Sequence, residues 1–122
     1  MLTRQAQAPL LPDDRTLVPG NGCATAALAT AVGKEPINCG KPSATLAQLI
    51  IETKSLDPAK TCMVGDRLDT DIAFGRSVGM STLLVLSGVT EPELADEMIA
   101  GTYTGPHQPS HVGSSIALLD GR

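Results

Sequence analysis

The segment STLLVLSG, residues 81–88, contains four consecutive apolar residues at positions 83–86. A strand that is apolar on both faces is typical of a parallel sheet whose two faces are covered by helices. A second run of strand length, TCMVG at residues 61–65, precedes it in the chain. Parallel neighbours need a crossover connection, which is overwhelmingly right-handed, so the two runs predict a β-α-β unit of an α/β fold.

Helix signals lie on both sides of these strands. Asn21 is expected to cap an Ala-rich helix that Gly33 ends in a left-handed conformation. Ser43 is expected to cap a second helix, followed by a turn at LDPAK, residues 56–60. Apolar residues of that second helix recur at i, i+3 and i+4 and predict one buried stripe, formed by Leu46, Leu49 and Ile50.

Two further helices are expected around the second strand. Asp69 or Thr70 is predicted to cap the helix between the strands, which ends near Gly79. Thr90 and Glu93 have capping-box spacing for the helix that follows the second strand. The pattern therefore alternates helices with strands, as expected for α/β architecture.

The remaining segments carry weaker signals. Residues 1–18 have no lasting periodicity, and their prolines and the acids Asp13 and Asp14 predict an extended segment and turn without a complete element. TYTGPHQPSHVG, residues 102–113, predicts a loop that includes a few strand-like residues, and His107 and His111 are expected at the surface. SSIALLD, residues 114–120, predicts a last short helix.

Composition excludes several classes of partner. The 122 residues carry a net charge of −4 and no cluster of Lys and Arg, which argues against nucleic acid or an anionic membrane surface. No apolar run approaches the roughly 20 residues that a bilayer requires, and we expect a soluble intracellular chain. Cys23, Cys39 and Cys62 have no CxxC spacing and are expected to be small buried residues.

Acidic residues follow the first strand directly. Asp66 comes after Gly65, which we expect to let the backbone turn sharply, at the edge of a parallel sheet where ligands bind. Its carboxylate suits a hard cation such as Mg²⁺, which takes one or two protein carboxylates together with water and substrate oxygens. Asp71 is placed to support the surroundings of Asp66 or to orient a nearby lysine, whereas Asp69 caps a helix or faces solvent.

Alternative interpretations of these acids remain open at this point. The pattern GDxxxxD alone fits a solvated turn and helix cap equally well. A calcium loop fits worse, because the spacing of Asp66, Asp69 and Asp71 misses the ligand positions 1, 3 and 5.

A single lysine adds to the signal. Lys41 lies between Gly40 and Pro42, just before a predicted helix. As a point charge it suits a phosphoryl oxygen or a carboxylate nucleophile, although a lone lysine is usually an ordinary surface residue. Its pairing with Asp66, one helix and one strand later, is the more specific feature.

The segments GKPS, TCMVGDRLDTDIAFG and TLLVLSGVT together resemble the C-terminal half of haloacid dehalogenase (HAD) superfamily phosphatases, in particular the phosphoglycolate and p-nitrophenyl phosphatase group. The resemblance extends from about Thr16 to Asp120. It implies that residues 1–38 are the tail end of an α/β cap domain. Residues 39–122 are then the C-terminal half of a HAD-like catalytic core, a partial doubly wound, Rossmann-like parallel sheet with helices on both faces.

The resemblance also implies roles for single residues. Lys41 would be the catalytic lysine that binds phosphate and contacts the nucleophile, Asp66 a catalytic Mg²⁺ ligand, and Asp71 the second acid of that motif, supporting the site without binding metal. The implied reaction is Mg²⁺-dependent hydrolysis of the phosphate monoester of a small metabolite, through an aspartyl-phosphate intermediate. A cytoplasmic location is expected, with a plastid open if a transit peptide lies upstream, and the full-length enzyme could form a homodimer.

Part of the family's machinery is missing from these residues. The DxD nucleophile motif and the phosphate-binding Ser or Thr do not appear, and Asp13 and Asp14 follow no buried strand. The 61–65 strand is then expected to be an exposed edge of a two-stranded sheet. Two functions compete: an incomplete part of a phosphomonoesterase, or a catalytically inactive HAD-like fragment that binds phosphate, metal or a subunit.

Overall fold

The computed structural model describes residues 7–11 and 14–120, with side chains from residue 20 to residue 120. The chain divides into two compact units, residues 1–37 and residues 38–122. The assignment of residues 1–38 to the end of a cap domain stays a prediction.

The first unit contains a hairpin and a helix. Strands β1 (Gln7–Leu11) and β2 (Asp14–Pro19) pair antiparallel. The expectation that residues 1–18 hold no complete element is therefore wrong, because antiparallel pairing satisfies the backbone without requiring a periodic side-chain pattern. Part of the expected turn, residues 12–13, lies outside the described residues.

Helix α1 (Asn21–Val32) follows the hairpin. Asn21 is the first helical residue and not the cap, which is Gly20, and no side chain caps this end. Gly33 ends the helix at φ 67°, as predicted, and its N–H donates to the carbonyl of Ala29.

The second unit is a three-stranded parallel sheet with helices. Its strands lie in the order β3-β4-β5, and the pairing runs from Cys62↔Ser81 to Gly65↔Leu84 between the first two. The elements of this unit are α2 (Ala44–Lys54), β3 (Cys62–Gly65), α3 (Ala73–Ser77), β4 (Ser81–Val85), α4 (Pro92–Ala100) and β5 (His111–Gly113). This arrangement confirms the predicted α/β class and its parallel sheet.

The third strand corrects the sequence prediction. Strand β5 lies in the segment predicted to be mainly loop and pairs with β4 from Leu83↔His111 to Val85↔Gly113. Its three residues are too few to show an alternating pattern. Within the described residues β3 pairs only with β4 and forms the predicted edge of the sheet.

The core surrounds β4. Four of its five residues are buried, as predicted for a strand covered on both faces, and Leu84 packs with Ile72 and Met98. The buried Thr82 is satisfied by Ser110: the Ser110 N–H donates to Oγ1 of Thr82 at 2.9 Å, and the Thr82 N–H donates to Oγ of Ser110 at 3.1 Å. These bonds join the end of the 102–113 segment to the central strand.

Helix α2 begins as predicted but buries a different face. Ser43 caps it by accepting a hydrogen bond from the Leu46 N–H. Leu49 and Ile50 are 58% and 37% exposed, whereas Ala47 is fully buried. Helix α2 contacts α3, and the small Ala47 side chain lies on its buried face. Periodicity identified a stripe but not the face that meets the core.

Two predicted caps are also wrong. Residues Leu68–Ile72 form a π-helical turn after Arg67, with no side-chain cap from Asp69 or Thr70. Helix α4 begins at Pro92, whose missing N–H suits a first helical position, and the side chain of Thr90 is used elsewhere. The short last helix is present as a 3₁₀-helix, Ile116–Asp120.

All three cysteines are exposed, so the expectation that they are buried is wrong. Cys23 lies on α1, Cys39 in the connection before α2, and Cys62 at the start of the edge strand. His107 and His111 are exposed, as predicted. No helix in the described part of the chain has the length and apolar character to span a membrane.

Candidate active site

Lys41 and Asp71 form an ion pair at the carboxyl edge of the sheet. Nζ of Lys41 lies 2.5 Å from Oδ1 of Asp71. The lysine comes from the turn before α2 and the aspartate from the π-helical turn after β3, thirty positions later. The Lys41 side chain is 46% exposed, whereas that of Asp71 is 5% exposed, so the buried carboxylate fixes one end of a lysine that still reaches solvent.

Asp71 is held by its backbone surroundings. Its second oxygen, Oδ2, accepts a hydrogen bond from the Arg67 N–H at 3.2 Å. A Cβ atom placed on Gly65 would lie 2.2 Å from Cβ of Asp71. The backbone bends at Asp66, directly after Gly65, but Gly65 itself has no positive φ, so a left-handed conformation is not what requires glycine there. Glycine is required there because the Asp71 side chain lies directly against the strand end.

Asp66 is the first residue beyond β3, and its carboxylate is half-buried. The Val89 N–H donates to Oδ2 at 2.9 Å, and the Thr90 hydroxyl donates to the Asp66 backbone carbonyl at 2.7 Å. The other carboxylate oxygen, Oδ1, accepts no hydrogen bond from any residue that the structure describes.

Arg67 and Asp69 form a bidentate ion pair on the same turn. Nε and Nη2 of Arg67 donate to the two Asp69 oxygens at 3.1 and 2.9 Å. This hydrogen bonding raises the pKa of Arg67 above its ordinary value. Because the folded-state pKa is raised, the stability that Arg67 contributes is complete at any pH below the ordinary pKa of the guanidinium and is lost only as the pH rises through the higher folded-state value.

The three acids therefore have different surroundings. Asp71 pairs with Lys41 and Asp69 pairs with Arg67. Among residues 20–120, Asp66 makes no ion pair. A carboxylate that makes no ion pair among these residues and has one oxygen without a hydrogen bond from them, at the edge of a sheet where parallel strands end, is a chemically suitable ligand for a hard cation.

Other ligands for such a cation are few here. No group of three His, Cys, Asp or Glu side chains in the described segments is placed to hold a metal ion. Magnesium commonly takes one or two protein carboxylates and completes its shell with water and phosphate oxygens. Asp66 fits the role of one such ligand but would not form a complete protein site by itself.

Sequence reasoning brought Lys41, Asp66 and Asp71 to one edge of the sheet, and the structure places them there. Their roles in binding phosphate and metal stay predictions. The sequence-based prediction missed the contacts that Val89 and Thr90 make with Asp66. A signal for them was available, because the loops that follow neighbouring parallel strands leave the sheet at the same edge.

The parallel sheet and the acids at its edge are consistent with the protein family whose model matches the chain. Residues 38–119 match the HAD-hydrolase-like family model. The chain belongs to this family. The matched residues include the complete parallel sheet and all the charged residues of the candidate site.

Curated relatives match most of this chain, and some of them carry phosphatase names. The chain is 45% identical over 113 residues to human chronophin, an alignment that covers 91% of this chain and 36% of the relative. It is 48% identical over 104 residues to phosphoglycolate phosphatase 2 of Arabidopsis thaliana, covering 84% of this chain and 34% of the relative. The chain thus spans about a third of the length of these relatives.

A solved structure extends the likeness to three dimensions. Glycerol phosphate phosphatase from Mycobacterium tuberculosis, in complex with magnesium, matches with a TM-score of 0.68 and 37% identity. The match covers 89% of this chain and 31% of that one. Fold and sequence therefore agree on the HAD-hydrolase-like family for this chain.

Proposed function

We propose that this chain is part of a Mg²⁺-dependent phosphatase that hydrolyses phosphate monoesters of small metabolites. The observation that carries the proposal is that Lys41, which is paired with the buried Asp71 carboxylate, and Asp66, which makes no ion pair among residues 20–120, both lie at one edge of a parallel sheet. Membership of the HAD-hydrolase-like family supports the reaction class.

Lys41 supplies positive charge to the transferring phosphoryl group and to the attacking carboxylate. Asp71 keeps its ammonium group at the sheet edge, while the exposed part of the lysine side chain remains accessible to substrate. Charge builds on the phosphoryl oxygens and leaving oxygen during transfer, and a cation fixed in place stabilises it without reorganisation. Lys41 is therefore both a phosphate-binding and a catalytic residue in this proposal.

Asp66 would be the chain's ligand for Mg²⁺ through its open oxygen, Oδ1. The cation, when bound, neutralises charge on phosphate oxygens. In this proposal Asp71 does not bind the metal: its side chain is 5% exposed, and its two oxygens accept hydrogen bonds from Lys41 and from Arg67. It supports the site by fixing the lysine.

The covalent step requires a carboxylate that attacks phosphorus while the alcohol leaves with a proton from a second acid, after which water cleaves the aspartyl phosphate. Asp71 and Asp69 are occupied by Lys41 and Arg67, and Asp66 is assigned to the metal. Because the DxD motif is also absent from the sequence, we assign the nucleophile to a part of the protein outside these 122 residues. The cap assignment of residues 1–38, a cytoplasmic location and a homodimer of the full-length enzyme belong to the same proposal.

The test is hydrolysis of p-nitrophenyl phosphate and phosphoglycolate, measured for the 122-residue chain and for the full-length protein, each with Mg²⁺. We expect turnover by the full-length protein and none by the 122-residue chain. Asp66→Asn serves as the control for a contaminating phosphatase. Turnover by the 122-residue chain that Asp66→Asn abolishes would contradict the missing nucleophile and direct attention to Asp13 and Asp14. An inactive full-length protein that still binds phosphate or metal would favour the binding-module alternative.

A further inference from the structure

Three neighbouring residues contact Asp66 from the loop after β4. The Val89 N–H donates to the carboxylate and the Thr90 hydroxyl donates to the backbone carbonyl. Gly88 lies so close that a Cβ atom placed on it would be 2.0 Å from Oδ2 of Asp66 and 2.4 Å from its Cβ. We call Gly88, Val89 and Thr90 the Asp66 clamp.

The topology explains why this loop reaches Asp66. Strands β3 and β4 are parallel neighbours, and their last paired residues are Gly65 and Leu84. Asp66 is therefore the first residue beyond the pairing. Just after β4 the chain pairs with its other neighbouring strand, β5, because the Leu86 N–H donates to the carbonyl of Gly113. The Asp66 carbonyl consequently receives its hydrogen bond from the Thr90 side chain.

The contacts act on different parts of Asp66. Thr90 fixes its backbone, Val89 fixes one carboxylate oxygen, and Gly88 leaves room for the side chain to lie against the loop. The other oxygen, Oδ1, is left without a hydrogen bond from the described residues. A ligand whose backbone and one oxygen are already ordered loses little freedom when its other oxygen binds a cation.

We propose that the Asp66 clamp positions Oδ1 of Asp66 for a divalent cation, with Thr90 as the principal positioning residue. The inference rests on the proposed function and deepens it by naming residues that tune the metal site without contacting the metal. Partners that orient metal ligands typically change metal affinity by about 10-fold to 100-fold when they are removed. Because Thr90 acts through the backbone and leaves the Val89 hydrogen bond intact, we expect a value of roughly 10-fold.

The test compares Thr90→Val with Thr61→Val in the full-length protein. Both changes replace a hydroxyl by a methyl group of similar size. The Thr61 hydroxyl also donates to a backbone carbonyl, that of Asp57, at 2.8 Å, but it lies before β3 at the opposite end of the strand. Thr61→Val therefore controls for the loss of one such hydrogen bond. Mg²⁺ affinity is measured by isothermal titration calorimetry, and Mn²⁺ affinity by electron paramagnetic resonance.

We expect Thr90→Val to weaken both affinities by about 10-fold and Thr61→Val to leave them unchanged. Thr90→Ser keeps the hydroxyl and should restore wild-type affinity. Hydrolysis of p-nitrophenyl phosphate should need more Mg²⁺ in Thr90→Val, with kcat at saturating Mg²⁺ largely retained. Gly88→Ala, which must displace the Asp66 carboxylate, provides a second variant if Thr90→Val does not fold, and it should weaken binding further.

Two failures are distinguishable. Wild-type Mg²⁺ affinity in a folded Thr90→Val or Gly88→Ala protein would overturn the clamp and leave the proposed function standing. A wild-type protein that hydrolyses no phosphate monoester and binds no Mg²⁺ would overturn the proposed function and the clamp together.

Discussion

The substitution Asp71→Asn tests what the buried carboxylate of the Lys41–Asp71 ion pair contributes. The carboxylate accepts two hydrogen bonds, one at each oxygen, from Nζ of Lys41 and from the Arg67 N–H. Asparagine has one carbonyl oxygen and directs an NH₂ group toward the other donor, so one of the two bonds must be lost. A hydrogen bond to a charged group contributes about 1.5–3 kcal/mol. Lys41 is 46% exposed and can be rehydrated, which argues for a value near the lower end.

We therefore expect Asp71→Asn to lower the free energy of unfolding by about 2 kcal/mol. With a urea m value of about 1.5–2 kcal/mol/M, the unfolding midpoint should fall by about 1 M. Asp57→Asn is the matched control, because Asp57 also accepts a backbone N–H, from Ala59, and faces a lysine, Lys60, at 3.5 Å. Its side chain is 51% exposed, so we expect a loss below about 0.5 kcal/mol.

Urea unfolding followed by far-ultraviolet circular dichroism measures both variants. Equal midpoint shifts for Asp71→Asn and Asp57→Asn would refute the reasoning, because the burial of Asp71 would then make no difference to its hydrogen bonds. In the proposed enzyme Asp71→Asn should also lower kcat, since Lys41 would lose the partner that fixes its ammonium group.

Four further substitutions test the site and the core beside it. Lys41→Ala should lower kcat for p-nitrophenyl phosphate by about 10²-fold, as expected for a lost electrostatic stabiliser; initial rates that show only a raised KM would mean uniform binding instead. Gly65→Ala should cost about 1–3 kcal/mol in urea unfolding through overpacking and lower activity by displacing Asp71. Gly75→Ala is the control for Gly65→Ala. A Cβ atom placed on Gly75 would lie 2.7 Å from Cβ of Met63, so this variant should lower stability but not the activity of the folded protein. Arg67→Lys should lose up to about 1 kcal/mol, because lysine cannot form the two-pronged contact with its carboxylate partner; an unchanged urea midpoint would show that the pair adds nothing.

The parallel sheet and several helix ends could be predicted from local sequence. Two short apolar runs identified β3 and β4, while Ser43 and Gly33 marked helix boundaries through their own chemistry. Strand β5 and the β1–β2 hairpin could not be found this way. Strand β5 pairs with the distant β4, and β1 pairs with the neighbouring β2. Such backbone pairing leaves little periodic signal in a short or Pro-containing segment.

The candidate site was predictable in part for the same reason. Asp66 could be placed at the sheet edge because it follows a buried strand, and Asp71 because it lies five residues later. The contact of Thr90 with Asp66 joins residues 24 positions apart and depends on two loops leaving neighbouring strands together. Capping-box spacing predicted that the Thr90 side chain caps α4. In the structure its hydroxyl donates instead to the Asp66 carbonyl.

The central claim is that Asp66 is this chain's Mg²⁺ ligand, and the most direct test is calorimetric titration of Mg²⁺ into wild-type, Asp66→Asn and Asp57→Asn forms of the full-length protein. Asp66→Asn removes the charge that would attract the cation, whereas Asp57→Asn removes an equal charge at an exposed turn outside the site. We predict that Asp66→Asn loses measurable Mg²⁺ binding and that Asp57→Asn keeps wild-type affinity. Equal Mg²⁺ affinity in wild-type and Asp66→Asn would contradict the assignment.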